Sequence, residues 1–437
     1  MFSVIAIVIT LGVVIFLAFK RLNIVVVSII AALLLAILDG QNSLEALTNT
    51  FMTGATGYIQ KFFLLFFIST LFGKVMEKTG AAASIAKWLA GLLGEKYAIL
   101  GVVFAGMILC YGGISTLVIA FTMYPIALAL FQKANLPRKL IPGAIAAGCF
   151  TFAAAAFPGT PQTNNVVPIP YLGTTVNAAP VLGIICGVIG VILISLYMYW
   201  EGKQARAKGE GFEADASILA TLQESNRMGE GVNPLVALIP IIVIIGLLVI
   251  LKVDVLISLL VGTIVCALLL FRNIKDMHVS GVYEILEAAV SGSMTAVVTT
   301  GCIVGYGSVV SASKGFALLT ETLTQMNVSP LLSFGLATTI LSGVAGSGTG
   351  GMGITLTSMA SQYLEMGLDP EVLHRVATLS SIGLDSLPHN GAVVVLLTLC
   401  GMTHKDSYKQ IFVTTVVITL IVAAIGIILG TIMYPIS

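Results

Sequence analysis

Charge is what this chain has least of. Only 9% of its 437 residues are Asp, Glu, Lys or Arg, against roughly a quarter in soluble globular domains. With 57% hydrophobic residues, a water-soluble domain is excluded. The formal net charge of +1 supplies no electrostatic footprint for nucleic acid or an acidic protein partner. Histidine is equally scarce. His278, His374, His389 and His404 form no His-x-x-x-His pair, and the six cysteines (110, 149, 186, 266, 302, 400) show no metal-ligand spacing. These patterns imply no metal site and no disulfide framework. No convergent nucleophile and base appear, so an enzyme is not expected, nor any cofactor. Gly346-Ser-Gly-Thr-Gly-Gly351 lacks the Gly-Lys-Ser/Thr ending of a phosphate-binding loop. No basic residues precede the first apolar stretch, and Lys20 and Arg21 follow it. That order predicts a retained membrane helix rather than a cleaved signal.

What is abundant is apolar sequence in runs of membrane-crossing size, about 20 residues each. Candidate spans fall at 2–19, 22–38, 141–157, 176–199, 234–251, 255–271, 285–304 and 411–434. Shorter pieces at 62–72, 97–110, 117–131, 331–344, 352–363, 372–384 and 393–399 read as hairpin arms or broken helices. Residues 201–230 are the one long polar interval. Around it the chain repeats weakly. Tyr306-Gly307 follows Phe72-Gly73, and Leu368-Asp369-Pro370 follows Asn135-Leu136-Pro137, at an offset of about 233 residues. Positive charge, which favours the cytoplasmic side, places Lys20/Arg21, Lys74/Lys78, Lys203/Arg206/Lys208, Arg272/Lys275 and Lys405/Lys409 inside. Both termini then lie outside. The expected fold is an all-α polytopic membrane protein of two inverted repeats, 1–200 and 233–437, joined by a cytoplasmic linker at 201–232. Each repeat has a re-entrant helical hairpin and a broken transmembrane helix. On the same reading His374 and Arg375 fall in an outer acidic loop with Glu365, Asp369 and Glu371. Lys61, Glu284 and Glu287 fall at membrane interfaces.

Two stretches, Phe157-Pro-Gly-Thr-Pro-Gln-Thr-Asn-Asn165 and Gly383-Leu-Asp-Ser-Leu-Pro-His-Asn-Gly391, put prolines, glycines and polar groups between apolar segments. Non-helical backbone at membrane depth survives only against protein or a hydrated cavity, which in transporters is where solutes and coupling ions bind. Candidate solute contacts are therefore Thr160, Gln162, Thr163, Asn164 and Asn165 in the first break, and Ser386 and Asn390 in the second. Ser115 and Thr116 at the first hairpin tip join them, with Ser347 and Thr349 at the second. Ser or Thr there can cap free N–H groups, and the positive end of a half-helix suits an anion. Asp385 and His389 are the ionisable groups at membrane depth and hence the candidate proton carriers. A surface-loop origin for the first break, and a purely capping role for Asp385, compete with these readings.

At Pro158–Asn165 and Leu387–Gly391 the sequence resembles the gluconate permease family, within the broader ion transporter superfamily. The resemblance extends over most of the chain. Phe157-Pro-Gly-Thr-Pro161 looks like the family's proline-rich break without its preceding histidine. Pro388-His389-Asn390-Gly391 looks like its His-x-Asn-Asp pattern without the acidic residue, while Asp385 stands upstream. Tyr111-Gly-Gly-Ile-Ser115 departs from the Phe- and Asp-rich first tip of gluconate permeases. The resemblance implies a bacterial inner-membrane secondary transporter that takes up a small organic carboxylate by proton symport, with Na+ as the superfamily's alternative ion. It also implies a homodimer. The departures favour a short hydroxy acid, as in hydroxybutyrate-type relatives. An organic-anion antiporter or exporter is the alternative within transport.

Overall fold

The computed structural model describes residues 2–20, 22–214, 218–219, 222, 229–270, 279–316, 318, 329–388 and 390–435. His389, His278, Arg272 and Lys275 lie outside the described residues. Among those described, every regular element is a helix, as the all-α expectation requires. Five helices are long and apolar enough to cross a membrane. Short polar side chains start several of the helices. Asn23, Asn42, Asn233 and Asp369 each accept a hydrogen bond from a backbone N–H in the first turn, satisfying donors that have no partner within the helix.

The elements follow one order twice. Phe2–Phe19 and Ile24–Asp39 precede a long helix, Ser43–Lys78. A helical hairpin follows, Ala98–Tyr111 and Thr116–Lys133, then a broken helix starting at Ile141–Cys149, then Pro180–Ala207. In the second half Pro234–Ile245 and Val255–Leu270 precede the long helix Val279–Ser311. The hairpin is Pro330–Ala345 and Gly348–Glu365, the broken helix starts with Pro370–Ser381, and His404–Met433 closes the chain. Before the first hairpin, the amphipathic helix Ala81–Leu92 meets the next helical segment at 107°.

Equivalent helices of the two halves lie antiparallel against each other. A Cβ on Gly54 would stand within 2.8 Å of Ser308 Cβ, one on Gly305 within 2.7 Å of Phe51 O, and one on Gly292 within 3.2 Å of Thr70. The seam ends at Lys78 and Glu284, paired at 3.6 Å. Small residues let the backbones approach where lipid gives no hydrophobic drive. Pro180–Ala207 and His404–Met433 cross in the same sense, with Gly430 near Leu182, Gly426 near Cys186, and Glu201 bonded by Lys409 and Gln410. The first pair of helices in each half packs on the long helix of the other half. Tyr306 bonds Thr10 at 2.9 Å, and Cys266 contacts Met76.

Several expected boundaries shift. The short piece at 62–72 belongs to the 36-residue helix Ser43–Lys78. Hydroxyl and amide side chains in its first half lower the local hydropathy, and three of them, Asn49, Thr50 and Thr53, line a cavity. Lys61 therefore sits about 27 Å from the Ser43 end at 1.5 Å per residue, near the helix middle rather than at its start. The span expected at 285–304 starts at Val279. The polar interval expected from residue 201 starts later, because Pro180–Ala207 continues through a buried Glu201 held by Tyr197, Lys409 and Gln410.

Candidate functional site

Each hairpin turns at a glycine in the left-handed backbone region, Gly113 (φ 92°) and Gly346 (φ 57°), where a side chain would be strained. Each tip is then tied to the break in its own half by one amide side chain. In the first half, Gln162 Nε2 donates to Cys110 O (2.6 Å) and Ile114 O (2.9 Å). Thr160 Oγ1 donates to Tyr111 O (3.1 Å), and the Tyr111 hydroxyl donates to Pro158 O (2.8 Å). In the second half, Asn390 Nδ2 donates to Gly346 O (2.9 Å) and Asp385 O (2.8 Å), while its Oδ1 accepts from Val393 N (2.9 Å). Asn390, not Asp385, thus caps the half-helix Gly391–Leu399.

The first break is longer than its prolines indicate. The helix ends at Cys149, resumes for one turn at Phe152–Ala155, and passes through the short helices Thr163–Val166 and Ile169–Leu172 before Pro180. Its free carbonyls are met by a residue of the other half. Arg375 is fully buried. It donates through Nη1 to Ala155 O (2.9 Å) and Asn165 Oδ1 (3.0 Å), and through Nη2 to Ala178 O (2.7 Å). No carboxylate pairs with it among the described residues. Asn165 is equally enclosed. Its Nδ2 donates to Thr160 O and Val176 O, and its Oδ1 also faces His374 Nε2 at 3.3 Å. Thr174 meets His374 Nδ1 at 2.7 Å. A neutral imidazole with its proton on Nε2 satisfies both contacts. Glu371 accepts from Ala179 N at 3.1 Å.

His374 and Arg375 are thus not in an outer loop; both lie on the helix Pro370–Ser381 and are fully buried. Their acidic neighbours Glu365, Asp369 and Glu371 gave the contrary impression. Only the spacing of two basic residues among apolar ones on a short helix could have hinted at it. The same residues revise the role expected of two asparagines. Asn165 and Asn390 have every polar atom engaged within the protein, so they position the breaks.

The two breaks meet at the second hairpin tip. Asn164 Nδ2 donates to Ser381 Oγ at 3.2 Å. A Cβ on Gly348 would stand 2.9 Å from Asp385 Oδ2 and 3.0 Å from Asn164 Nδ2. The carboxylate therefore faces the first residue of the helix Gly348–Glu365, the end that favours negative charge. Ser386 Oγ donates to Asp385 Oδ1 at 2.9 Å. Ser347 accepts from Gly350 N (3.2 Å) and lies 3.4 Å from Thr349 Oγ1. Tyr408 and His404, from the last long helix, bond Ser386 O (3.0 Å) and Pro388 O (2.9 Å). The structure thus brings together Asn164, Ser347, Thr349, Asp385 and Ser386. Thr163 is half-buried in the first turn of its short helix. Ser115 and Thr116 open the helix Thr116–Lys133, which packs beside Gly391–Leu399. The Ser115 side chain makes no capping bond, contrary to expectation.

Residues 2–433 match the model of the GntP family permeases. The chain is a GntP family permease. This permease is 35% identical to the uncharacterised transporter YxjC of Bacillus subtilis (strain 168), over 97% of this chain and 98% of that protein. It is 28% identical to the high-affinity gluconate transporter of Escherichia coli (strain K12), over 52% of this chain and 49% of that one. The crystal structure of the Alcanivorax borkumensis YdaH transporter superposes with a TM-score of 0.58 at 15% identity, covering 90% of this chain and 88% of that one. That likeness concerns the fold. The permease is a multi-pass membrane transporter and not an enzyme, as the family resemblance implies.

Proposed function

We propose that this permease is a secondary active transporter that carries a small organic carboxylate, a short hydroxy acid or sugar acid, by proton symport across the bacterial inner membrane. The observation that carries the reading is the convergence of Asp385, Ser386 and Asn164 on the N-terminal end of Gly348–Glu365. A carboxylate among hydroxyl and amide donors can exchange a proton while its neighbours hold a polar solute. His389 joins Asp385 as a candidate carrier on sequence grounds. The similarity to the gluconate transporter supports an anionic substrate.

Both termini outside and two inverted repeats, 1–200 and 233–437, belong to this reading, and the charge distribution and the repeated element order support them. The antiparallel crossing of equivalent helices supports that symmetry, since a two-fold axis in the membrane plane relates such pairs. The hairpins and breaks form the moving unit. The helices 2–39 and 234–270 form the scaffold, which meets lipid or a second copy in a homodimer.

Uptake by proteoliposomes, with gluconate, 3-hydroxybutyrate, lactate, citrate and succinate in turn, tests this reading. An inward proton gradient drives uptake of at least one of these acids. Dependence on Na+ at fixed pH would replace the coupling ion, and tightest binding of a neutral solute would overturn the anion reading.

A further inference from the structure

The long helix Ser43–Lys78 borders a cavity of about 450 Å³, a volume within the usual range for small-molecule sites. Asn49, Thr53, Tyr58 and Lys61 line it from that helix, with Tyr171 from the first break and Thr357 from the second hairpin. Its lining carries two charges, Lys61 and Glu45. Glu45 lies about 24 Å from Lys61 along the helix, too far to neutralise it. Lys61 forms no ion pair among the described residues. Its ammonium stands 4.0 Å from the centroid of the Tyr171 ring, whose hydroxyl accepts from Thr357 at 3.2 Å. Lys61 is exposed; with one side on an aromatic face and donors around it, its ammonium has an open coordination side. A second feature points the same way. The Tyr58 hydroxyl is buried and borders the cavity, with the Thr349 side chain as its polar neighbour. A phenolic hydroxyl both donates and accepts, so one polar neighbour leaves Tyr58 capacity for a ligand oxygen. Gly57, between Tyr58 and Gly54 in sequence, has nothing within 4 Å of a Cβ position, so the cavity is unobstructed there.

We propose that this cavity is a second anion site, a capture station in which Lys61 holds the carboxylate of a small organic anion and Tyr58 bonds one of its oxygens. From there the anion passes along Thr349, which neighbours Tyr58, to the group around Asp385. The inference rests on the organic-anion reading above, and its tests separate the two.

The first test needs no substrate. The thiol introduced by Thr357→Cys is titrated with sulfonatoethyl and trimethylammonioethyl methanethiosulfonates; the native cysteines are all buried. With Lys61 present the anionic reagent is favoured, and Lys61→Gln lowers the anionic-to-cationic rate ratio by about tenfold. In transport, Lys61→Gln raises KM by about tenfold with maximal rate within about twofold, and Lys61→Arg restores KM. Should Lys61→Gln fail to reach the membrane, Gly57→Leu, which fills the cavity and leaves Lys61 in place, must raise KM instead. An unchanged reagent ratio, or an unchanged KM in a transporting protein, overturns the capture station and leaves the proposed function standing. A lowered ratio in a protein that imports none of the five acids keeps the anion site and removes the proposed function.

Discussion

The two breaks occupy equivalent places in the repeated element order, yet they are built from different chemistry. The first is closed. Its backbone carbonyls and the Asn165 amide are held by Arg375 and His374 from the other half, and its own Gln162 fastens the hairpin tip. The second keeps a carboxylate, Asp385, bonded by the adjacent Ser386 and facing the backbone N–H of Gly348. A repeated architecture thus divides its labour: one break is an anchor and the other holds the reactive group. Arg375 shows how the anchor works at membrane depth. A guanidinium has five donors and no acceptor, so one residue can satisfy several carbonyls that the interrupted helix leaves free.

That contrast can be broken most sharply at Arg375. Arg375→Ala leaves the carbonyls of Ala155 and Ala178 and the Asn165 oxygen unpaired, a loss of about 3–5 kcal/mol. The expected outcome is loss of folded protein in detergent, read by thermal unfolding on size exclusion. Arg375→Lys recovers part of it. Unchanged melting would mean that the first break needs no anchor.

Asp385→Asn takes the opposite form. Melting stays near wild type, while proton-driven uptake falls by about 100-fold and no longer follows the imposed pH gradient. A variant that still acidifies the vesicle lumen on solute entry would move the carrier elsewhere.

Asn164→Ala, at the contact between the two breaks, removes one hydrogen bond to Ser381 and one donor facing Gly348. An affinity loss of about tenfold is expected, measured by solute binding to the purified protein, with stability retained. Ser347→Ala is the mildest. It deletes the cap of Gly348–Glu365, about 1 kcal/mol, and shows as a small drop in melting temperature.

Much of this was legible in the sequence. The two breaks and both hairpin tips announce themselves through Pro158, Pro161, Gly112-Gly113, Gly346 and Pro388, because those residues are incompatible with continuous helix. Asp385 stands out because a carboxylate between apolar runs is costly. The anchor was not legible. Arg375 binds backbone carbonyls, and no residue pattern marks a carbonyl as free. Lys61 lies at mid-helix rather than near a span's start, and a related reason hides this. Thr48, Asn49, Thr50, Thr53, Thr56 and Gln60 dilute the hydropathy of that helix, so only residues 62–72 read as apolar. Asn165 and Asn390 looked like solute ligands because composition does not say which polar atoms are already engaged.

The crossed packing of the halves also sets an order for biogenesis. Ala6, Ile7, Val27, Ala31 and Leu35 belong to a core completed by Cys302, Tyr306, Val309 and Val310. The ribosome makes these partners nearly 300 residues later. Until then the first two helices sit in lipid with their small-residue faces uncovered, and the first half cannot reach its final packing alone. Assembly of this permease is therefore a late event, gated by synthesis of the second long helix rather than by insertion of the first.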